Sequence, residues 1–269
     1  MTAATSMKAP VPAPVPAPVS NAVRFDYVLR LGDTSLILAQ RLGEWVGHAP
    51  ALEEDLGLGN LALDFLGQAR MLLSLAGRIE GRNRSEDDLA FLRDGAEFRN
   101  FTLVEQPNGD FGQTIVRQFF IDAYQVVLFE ALSVSSDADL AAIAAKALKE
   151  AQYHRRFSSN WVLRLGDGTE ESHRRTQSAV DWLMRFTPEL FEADEVDRQT
   201  FAAGISPDLA ALSAAWHQDV TRVLTEATLT MPPSTRGAPV GKRGDHSEYL
   251  GYVLADMQFM QRAYPGASW

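Results

Sequence analysis

The chain has 269 residues, of which 46% are hydrophobic, a length that suits one sizeable core better than two independent ones. Acidic residues outnumber basic ones by 35 to 25, and the net charge of −10 disfavours nucleic acid and anionic membranes as general partners. The sequence has no cysteine, which excludes disulfides, iron–sulfur clusters and thiolate zinc sites. A metal site would therefore need carboxylate and imidazole ligands, and the chain has five histidines to supply the imidazoles.

The N-terminal segment is an Ala/Pro/Val repeat, with the sequence KAPVPAPVPAPVS at residues 8–20. Proline removes backbone donors and favours an extended conformation, so we expect residues 1–22 to form a disordered tail and residues 23–269 to form a single helical domain. The prolines also interrupt any signal-peptide apolar region, and no uncharged apolar run of about 18 residues occurs. We therefore expect a cytoplasmic protein.

Apolar residues recur every three to four positions along most of the remaining chain, as they do in amphipathic helices. The pattern predicts four long helices at about 24–43, 52–79, 111–132 and 138–164. It also predicts a short acidic helix at about 85–94, in which Ser85 and Asp88 have the spacing of a capping box, and helices at about 170–186, 207–227 and 246–263. Because period-two alternation is nearly absent, the predicted fold is all-α.

The four long helices form two pairs, each with a short inner turn, and a longer segment connects the pairs. This order predicts a ferritin-like four-helix bundle with additional C-terminal helices. A helix of about 25 residues is roughly 37 Å long, which is typical of bundles that contain a central site.

Diiron proteins with this fold use a Glu from each of two helices and a Glu-x-x-His from each of the other two. Polar residues interrupt the apolar stripes of all four long helices here, at Asp33, Asp64, Asp122, Glu150 and His154. Asp33 and Asp64 are 31 positions apart, and Asp122 and Ala151 are 29 positions apart. These similar separations indicate a duplicated helix pair.

The ligand set is incomplete, however. Gly67 and Gln68 follow Asp64 where an imidazole is needed, and Ala151 precedes His154 where an acid is needed. We therefore expect no catalytic, cofactor-binding or metal-binding residues in this chain. The sequence instead predicts a vestigial site, a buried polar network whose members bond to one another or to Lys146, Lys149 or Arg70, and whose residues are Asp33, Asp64, Gln68, Asp122, Glu150 and His154.

Other candidate residues carry weaker signals. Glu44 and His48 share a helix face, but a histidine at a helix C-terminus is explained by the helix dipole. His173 and His217 have no partner at metal-ligand spacing and are expected at the surface or in packing. A small basic cluster in a Gly-rich loop is a candidate contact for an anion or a partner, against the alternative of a solvated loop; it comprises Lys242, Arg243 and His246.

Several long strings, in the same order, resemble the C-subunit family of bacterial ring-1,2-phenylacetyl-CoA epoxidases. The resemblance runs from about residue 26 to the C-terminus and rests on LRLGDTSLILAQRLGEWVGHAP, LGNLALDFLGQAR, VEQPNGDF, RQFFIDAY, KEAQYHRRFS and GKRGDHSEYLGYVLADMQFMQR. It implies a role in aerobic phenylacetate catabolism, in which the complex epoxidises the ring of phenylacetyl-CoA with dioxygen and electrons from NADPH.

The resemblance also implies a division of labour within the complex. The diiron centre belongs to a related, catalytic A subunit, whereas the family of this chain is a non-catalytic structural partner that also associates with a small B subunit. On this view the chain has no cofactor of its own, and phenylacetyl-CoA is a candidate ligand near the interface. Two alternatives stay open: a CoA-ester binding subunit that uses Lys242 and Arg243, and a self-sufficient ferritin-like diiron oxidase.

Overall fold

The computed structural model describes residues 19–233 and 239–267. Most of the expected tail, at residues 1–18, lies outside the described residues. The first helix begins at Asn21, two residues before the predicted domain boundary, because Ser20 caps it by accepting a hydrogen bond from the Val23 amide.

Ten α-helices occur in the described residues, and no strand does. Their bounds are α1 Asn21–Gly43, α2 Leu52–Glu80, α3 Glu86–Phe91, α4 Thr102–Glu105, α5 Phe111–Leu132, α6 Ala138–Gly166, α7 Glu170–Leu183, α8 Glu195–Ala202, α9 Leu209–Glu226 and α10 Glu248–Ala263. Short 3₁₀ segments occur at Gly95–Glu97, Met184–Leu190 and Gly241–Arg243. The all-α prediction is confirmed, while α4, α8 and the 3₁₀ segments were not predicted.

Local capping chemistry explains several helix ends. Asp110 accepts a hydrogen bond from the Gln113 amide at the start of α5, and Gly81 ends α2 in a left-handed conformation at φ 72°. The predicted capping box of Ser85 and Asp88 is present at the start of α3.

The helices pack as a ferritin-like bundle with additional helices around it. α1 packs against α2, α5 packs against α6, and α2 and α6 join the two pairs. α7 and α9 lie on the α5–α6 pair, where the buried Trp216 donates a hydrogen bond to the carbonyl of Phe120. α4, α8 and α10 lie on α1, which explains why α1 is buried on nearly all sides. Within the described residues, no helix is both long and apolar enough to cross a bilayer.

Candidate functional site

The polar residues singled out from the sequence do not form one network. Four of them are fully buried, namely Asp33 on α1, Gln68 on α2, Asp122 on α5 and His154 on α6. Asp64 lies at the solvent edge of α2, where its side chain is 41% exposed. The residue on the first helix, Asp33, belongs to a different cluster.

Asp33 pairs with an arginine that the sequence did not single out. Both terminal guanidinium nitrogens of Arg93 donate to its carboxylate, one of them at 2.9 Å, and the Arg99 amide donates to Oδ2 at 2.9 Å. Both side chains of the ion pair are buried. Asp33 therefore attaches the segment between α3 and α4 to α1, and its assignment to the vestigial site is wrong.

The interior face of α2 also differs from the prediction. Phe65 and Gln68 are fully buried and point inward, whereas Asp64 is one position, about 100°, away around the helix. This burial indicates that Phe65, and not Asp64, is the residue of α2 that corresponds to Ala151 in the second helix pair. Leu36 and Phe65 are 29 positions apart, as are Asp122 and Ala151.

His154 bonds to the edge of α2 from inside the bundle. Its Nε2 lies 3.0 Å from Oδ2 of Asp64, and its ring centroid lies 4.8 Å from that of Phe65. Burial lowers the pKa of His154 and outweighs the opposing effect of Asp64. The imidazole is therefore neutral at neutral pH, with Nε2–H as donor and Nδ1 as a buried nitrogen that has no hydrogen-bond partner in the described residues.

Asp122 is buried among neutral partners. Gln118 donates to its Oδ1 at 2.6 Å, while Oδ2 has no partner in the described part of the chain. Burial raises the pKa of Asp122 to about 8, because the neutral side chains of Gln118 and Ser158 do not compensate the carboxylate for its lost hydration. At neutral pH this side chain is mostly a neutral acid.

Another polar contact joins α2 to α6, where Nε2 of Gln68 donates a hydrogen bond to Oε2 of Glu150 at 3.0 Å. The side chains expected to neutralise the acids lie elsewhere: Lys146 is beside the sulfur of Met71 at 3.9 Å, and Arg70 faces Glu86 at 3.8 Å. The acids are instead stabilised by hydrogen bonds from neutral side chains, and Asp64 is also partly exposed to solvent. Lys149 makes no ion pair with these acids within the described residues.

These residues do not fit a diiron centre. The shared spacing of 29 and then three positions pairs the interior residues Leu36, Phe65 and Gln68 of the first half with Asp122, Ala151 and His154 of the second. One carboxyl group and one imidazole cannot neutralise and bridge two iron ions. Across residues 19–233 and 239–267, no three His, Asp or Glu side chains lie together so that they could bind a metal ion.

The candidate anion contact in the C-terminal loop is also wrong for Lys242. Its side chain is buried, and its ammonium group donates to Oδ2 of Asp197 at 2.8 Å and to the carbonyl of Glu192. Arg243 is half exposed, 3.9 Å from Asp194. Lys242 is fully occupied in attaching the loop to α8, so it cannot bind an anion at the surface.

A second buried residue that the sequence did not single out, besides Arg93, is Glu105 at the end of α4. This fully buried carboxylate accepts hydrogen bonds from Asn100 at 2.9 Å, His246 at 2.5 Å and the Ser247 amide at 2.8 Å. A signal for it was present, since Glu105 and His246 lie in two of the recognisable strings, VEQPNGDF and GKRGDHSEY. These strings meet in space to join α4 to α10.

The remaining histidines have backbone partners. Nδ1 of His48, His173 and His217 lies 3.2, 2.7 and 2.8 Å from the carbonyl oxygens of Val46, Gly166 and Ser213, respectively. Glu44 bonds to Arg41 at 2.9 Å instead of forming a site with His48.

Comparison with known proteins agrees with the architecture. The family model described as phenylacetic acid catabolic protein matches residues 9–269. The chain is 54% identical over 243 residues to the C subunit of 1,2-phenylacetyl-CoA epoxidase from Escherichia coli strain K12, a match that covers 90% of this chain and 98% of that protein. The chain therefore belongs to the phenylacetic acid catabolic protein family.

Proposed function

We propose that this chain is the non-catalytic structural subunit of a phenylacetyl-CoA 1,2-epoxidase and acts in aerobic phenylacetate catabolism in the cytoplasm. The observation that carries the proposal is the identity of 54% to an epoxidase C subunit over nearly its whole length. Its partners are a related catalytic A subunit, which contains the diiron centre, and a small B subunit.

The interior of the bundle supports the non-catalytic part of the proposal. Phe65 and Ala151 fill positions where acids are needed, and Gln68 fills one where an imidazole is needed. Neutral side chains cannot offset the charge of two iron ions, which argues against a diiron centre in the interior of this bundle. Its contribution is to bury surface of the catalytic subunit and to stabilise the geometry of that subunit's site.

Reconstitution tests this function. The A subunit, the B subunit and the reductase are assayed for phenylacetyl-CoA epoxidation with and without this chain, and we expect activity to require it. Full activity without the chain would contradict the structural role. Iron analysis of the purified chain after anaerobic Fe(II) loading tests the alternative of a self-sufficient diiron oxidase, which predicts about two iron ions per chain.

Equilibrium dialysis of the isolated chain against phenylacetyl-CoA tests the alternative of a CoA-ester binding subunit. Because Lys242 is buried, we expect no binding that depends on it. Saturable binding that an Arg243→Ala variant abolishes would favour the CoA-ester alternative instead.

A further inference from the structure

An apolar stripe runs along the outward face of α2. Leu52, Leu56, Gly59, Leu63 and Leu66 follow one another at alternating steps of four and three residues. The leucines are exposed, at 70%, 60%, 66% and 37% in chain order. This is the spacing with which a helix presents a continuous seam to a second helix. A surface this apolar on a single helix indicates a contact partner.

Two glycines on the same face are not explained by the packing of this chain. A Cβ atom at Gly59 or Gly67 would meet nothing within 4 Å. By contrast, a Cβ atom at Gly57 would meet Phe157 at 3.0 Å, and one at Gly77 would collide with the carbonyl of Arg84. Glycine costs helix stability, so outward glycines indicate the close approach of another backbone.

The stripe forms one wall of a groove of about 450 Å³, and the C-terminal part of α1 and the turn after it form the other, with Ala39, Gly43 and Val46. A groove between two helices fits a rod such as a third helix, whereas a flat bilayer would not enter it.

The C-terminal continuation of the stripe is basic. Arg70, Arg78 and Lys146 line a second groove of about 500 Å³, together with Glu86. The side chain of Arg70 is 71% exposed and lies 3.8 Å from Glu86. On a chain with a net charge of −10, this positive region favours an acidic partner. A small anion would use the arginines but not the roughly 20 Å of leucine seam that precedes them.

We propose that the outward face of α2, from Leu52 to Arg78, binds an amphipathic helix of the catalytic subunit. The apolar positions of that helix pack into the leucine seam, its backbone approaches Gly59 and Gly67, and carboxylates at one end face Arg70, Arg78 and Lys146. The proposal rests on the proposed function and deepens it by naming the docking face and the chemistry of the partner.

Affinity for the purified catalytic subunit, measured by titration calorimetry with the full-length chain, tests the proposal. We expect Leu63→Asp to weaken binding at least tenfold, whereas Val134→Asp, at a residue 84% exposed in the loop after α5, leaves it unchanged. Both variants should keep wild-type helicity by circular dichroism. Arg70→Glu should weaken binding most at low salt, because salt screens the charge attraction.

The Gly59→Ala variant shows whether Gly59 serves docking of the partner helix or the folding of this chain. We expect it to raise the unfolding midpoint, since alanine favours helix, yet to weaken binding severalfold. A lower midpoint with unchanged affinity would contradict the inferred close approach.

Results that would contradict the docking face differ from results that would contradict the proposed function. Equal affinity of Leu63→Asp and wild type would overturn the docking face and leave the proposed function intact. No binding by wild type at all would count against the proposed function itself. Self-association of the wild-type chain, seen by sedimentation and abolished by Leu63→Asp while affinity for the catalytic subunit is unchanged, would make a second copy the occupant and overturn the proposal.

Discussion

Nε2 of His154 lies 3.0 Å from Oδ2 of Asp64, a hydrogen bond that joins a fully buried imidazole on α6 to a carboxylate at the solvent edge of α2. The contact links the two halves of the bundle, since α2 belongs to the first helix pair and α6 to the second. Because Asp64 keeps part of its hydration, the pair avoids the cost of burying a free carboxylate. This hydrogen bond satisfies Nε2 of the imidazole, while Nδ1 has no partner in the described residues.

Asp122→Asn should change the pH dependence of stability. The folded pKa of Asp122, about 8, lies above its ordinary value of 3.8, so the native state binds the extra proton between these values. Wild-type stability should therefore fall as pH rises from about 4 to about 8. The Asn variant mimics the neutral acid and should be more stable than wild type by about 1–3 kcal/mol at pH 8.5.

The measurement is urea unfolding at several pH values, with Asp256→Asn at an exposed position as the control. Parallel stability curves for wild type and Asp122→Asn would show that this carboxyl group is not the source of the pH dependence.

Asp33→Ala should destabilise the chain strongly. The change leaves the guanidinium of Arg93 buried without its carboxylate, which costs about 3–5 kcal/mol. As a matched control, Glu171→Ala removes exposed ion pairs with Arg174 and Arg175 and should have a much smaller effect. Chemical denaturation of both variants is the measurement, and similar costs would refute a structural role for Asp33.

Lys242→Met should act on stability and not on anion binding. The substitution leaves the carboxylate of Asp197 without this ammonium group in a buried site, so we expect a loss of about 2–4 kcal/mol. Arg243→Ala, one position further, should change the free energy of unfolding by less than about 1 kcal/mol. A stable Lys242→Met variant with reduced affinity for phenylacetyl-CoA would restore the anion-contact interpretation.

His246→Gln should remove a second pH-dependent contribution. Burial opposes protonation of His246, but its hydrogen bond and charge attraction to Glu105 prevail and raise its pKa above 6.5. Both ring nitrogens face acceptors, Glu105 at 2.5 Å and the carbonyl of Phe98 at 3.0 Å, as the imidazolium form requires. The stabilisation is therefore complete below about 6.5 and is lost as pH rises through the raised pKa.

Unfolding of His246→Gln at pH 6 and pH 9 checks this expectation. The variant should lose about 1–3 kcal/mol at pH 6 and less at pH 9. An equal loss at both pH values would show that His246 contributes by packing and not by its charge.

The sequence predicted the helices well because their signals are local. Apolar periodicity and capping residues such as Ser85 and Asp110 act within a few positions, so the observed bounds of the long helices differ from the predicted ones by at most three residues. The segments it missed, including α4 and α8, have too few turns to show a period. Their conformation depends on contacts with α1.

The interior polar residues show what sequence periodicity cannot predict. One position along a helix is a rotation of about 100°, so an apolar stripe cannot decide whether Asp64 or its neighbour Phe65 faces inward. Partners far apart in sequence are equally hidden, as for Asp33 with Arg93 and Glu105 with His246.

Periodicity and residue identity are properties of the chain alone, and they were sufficient to predict the all-α architecture. The burial of Lys242, the contact of Asp33 with Arg93 and the exposure of the leucines of α2 became known from the packed helices. Burial depends on which helices pack together, and that choice is made by surfaces that are distant in sequence.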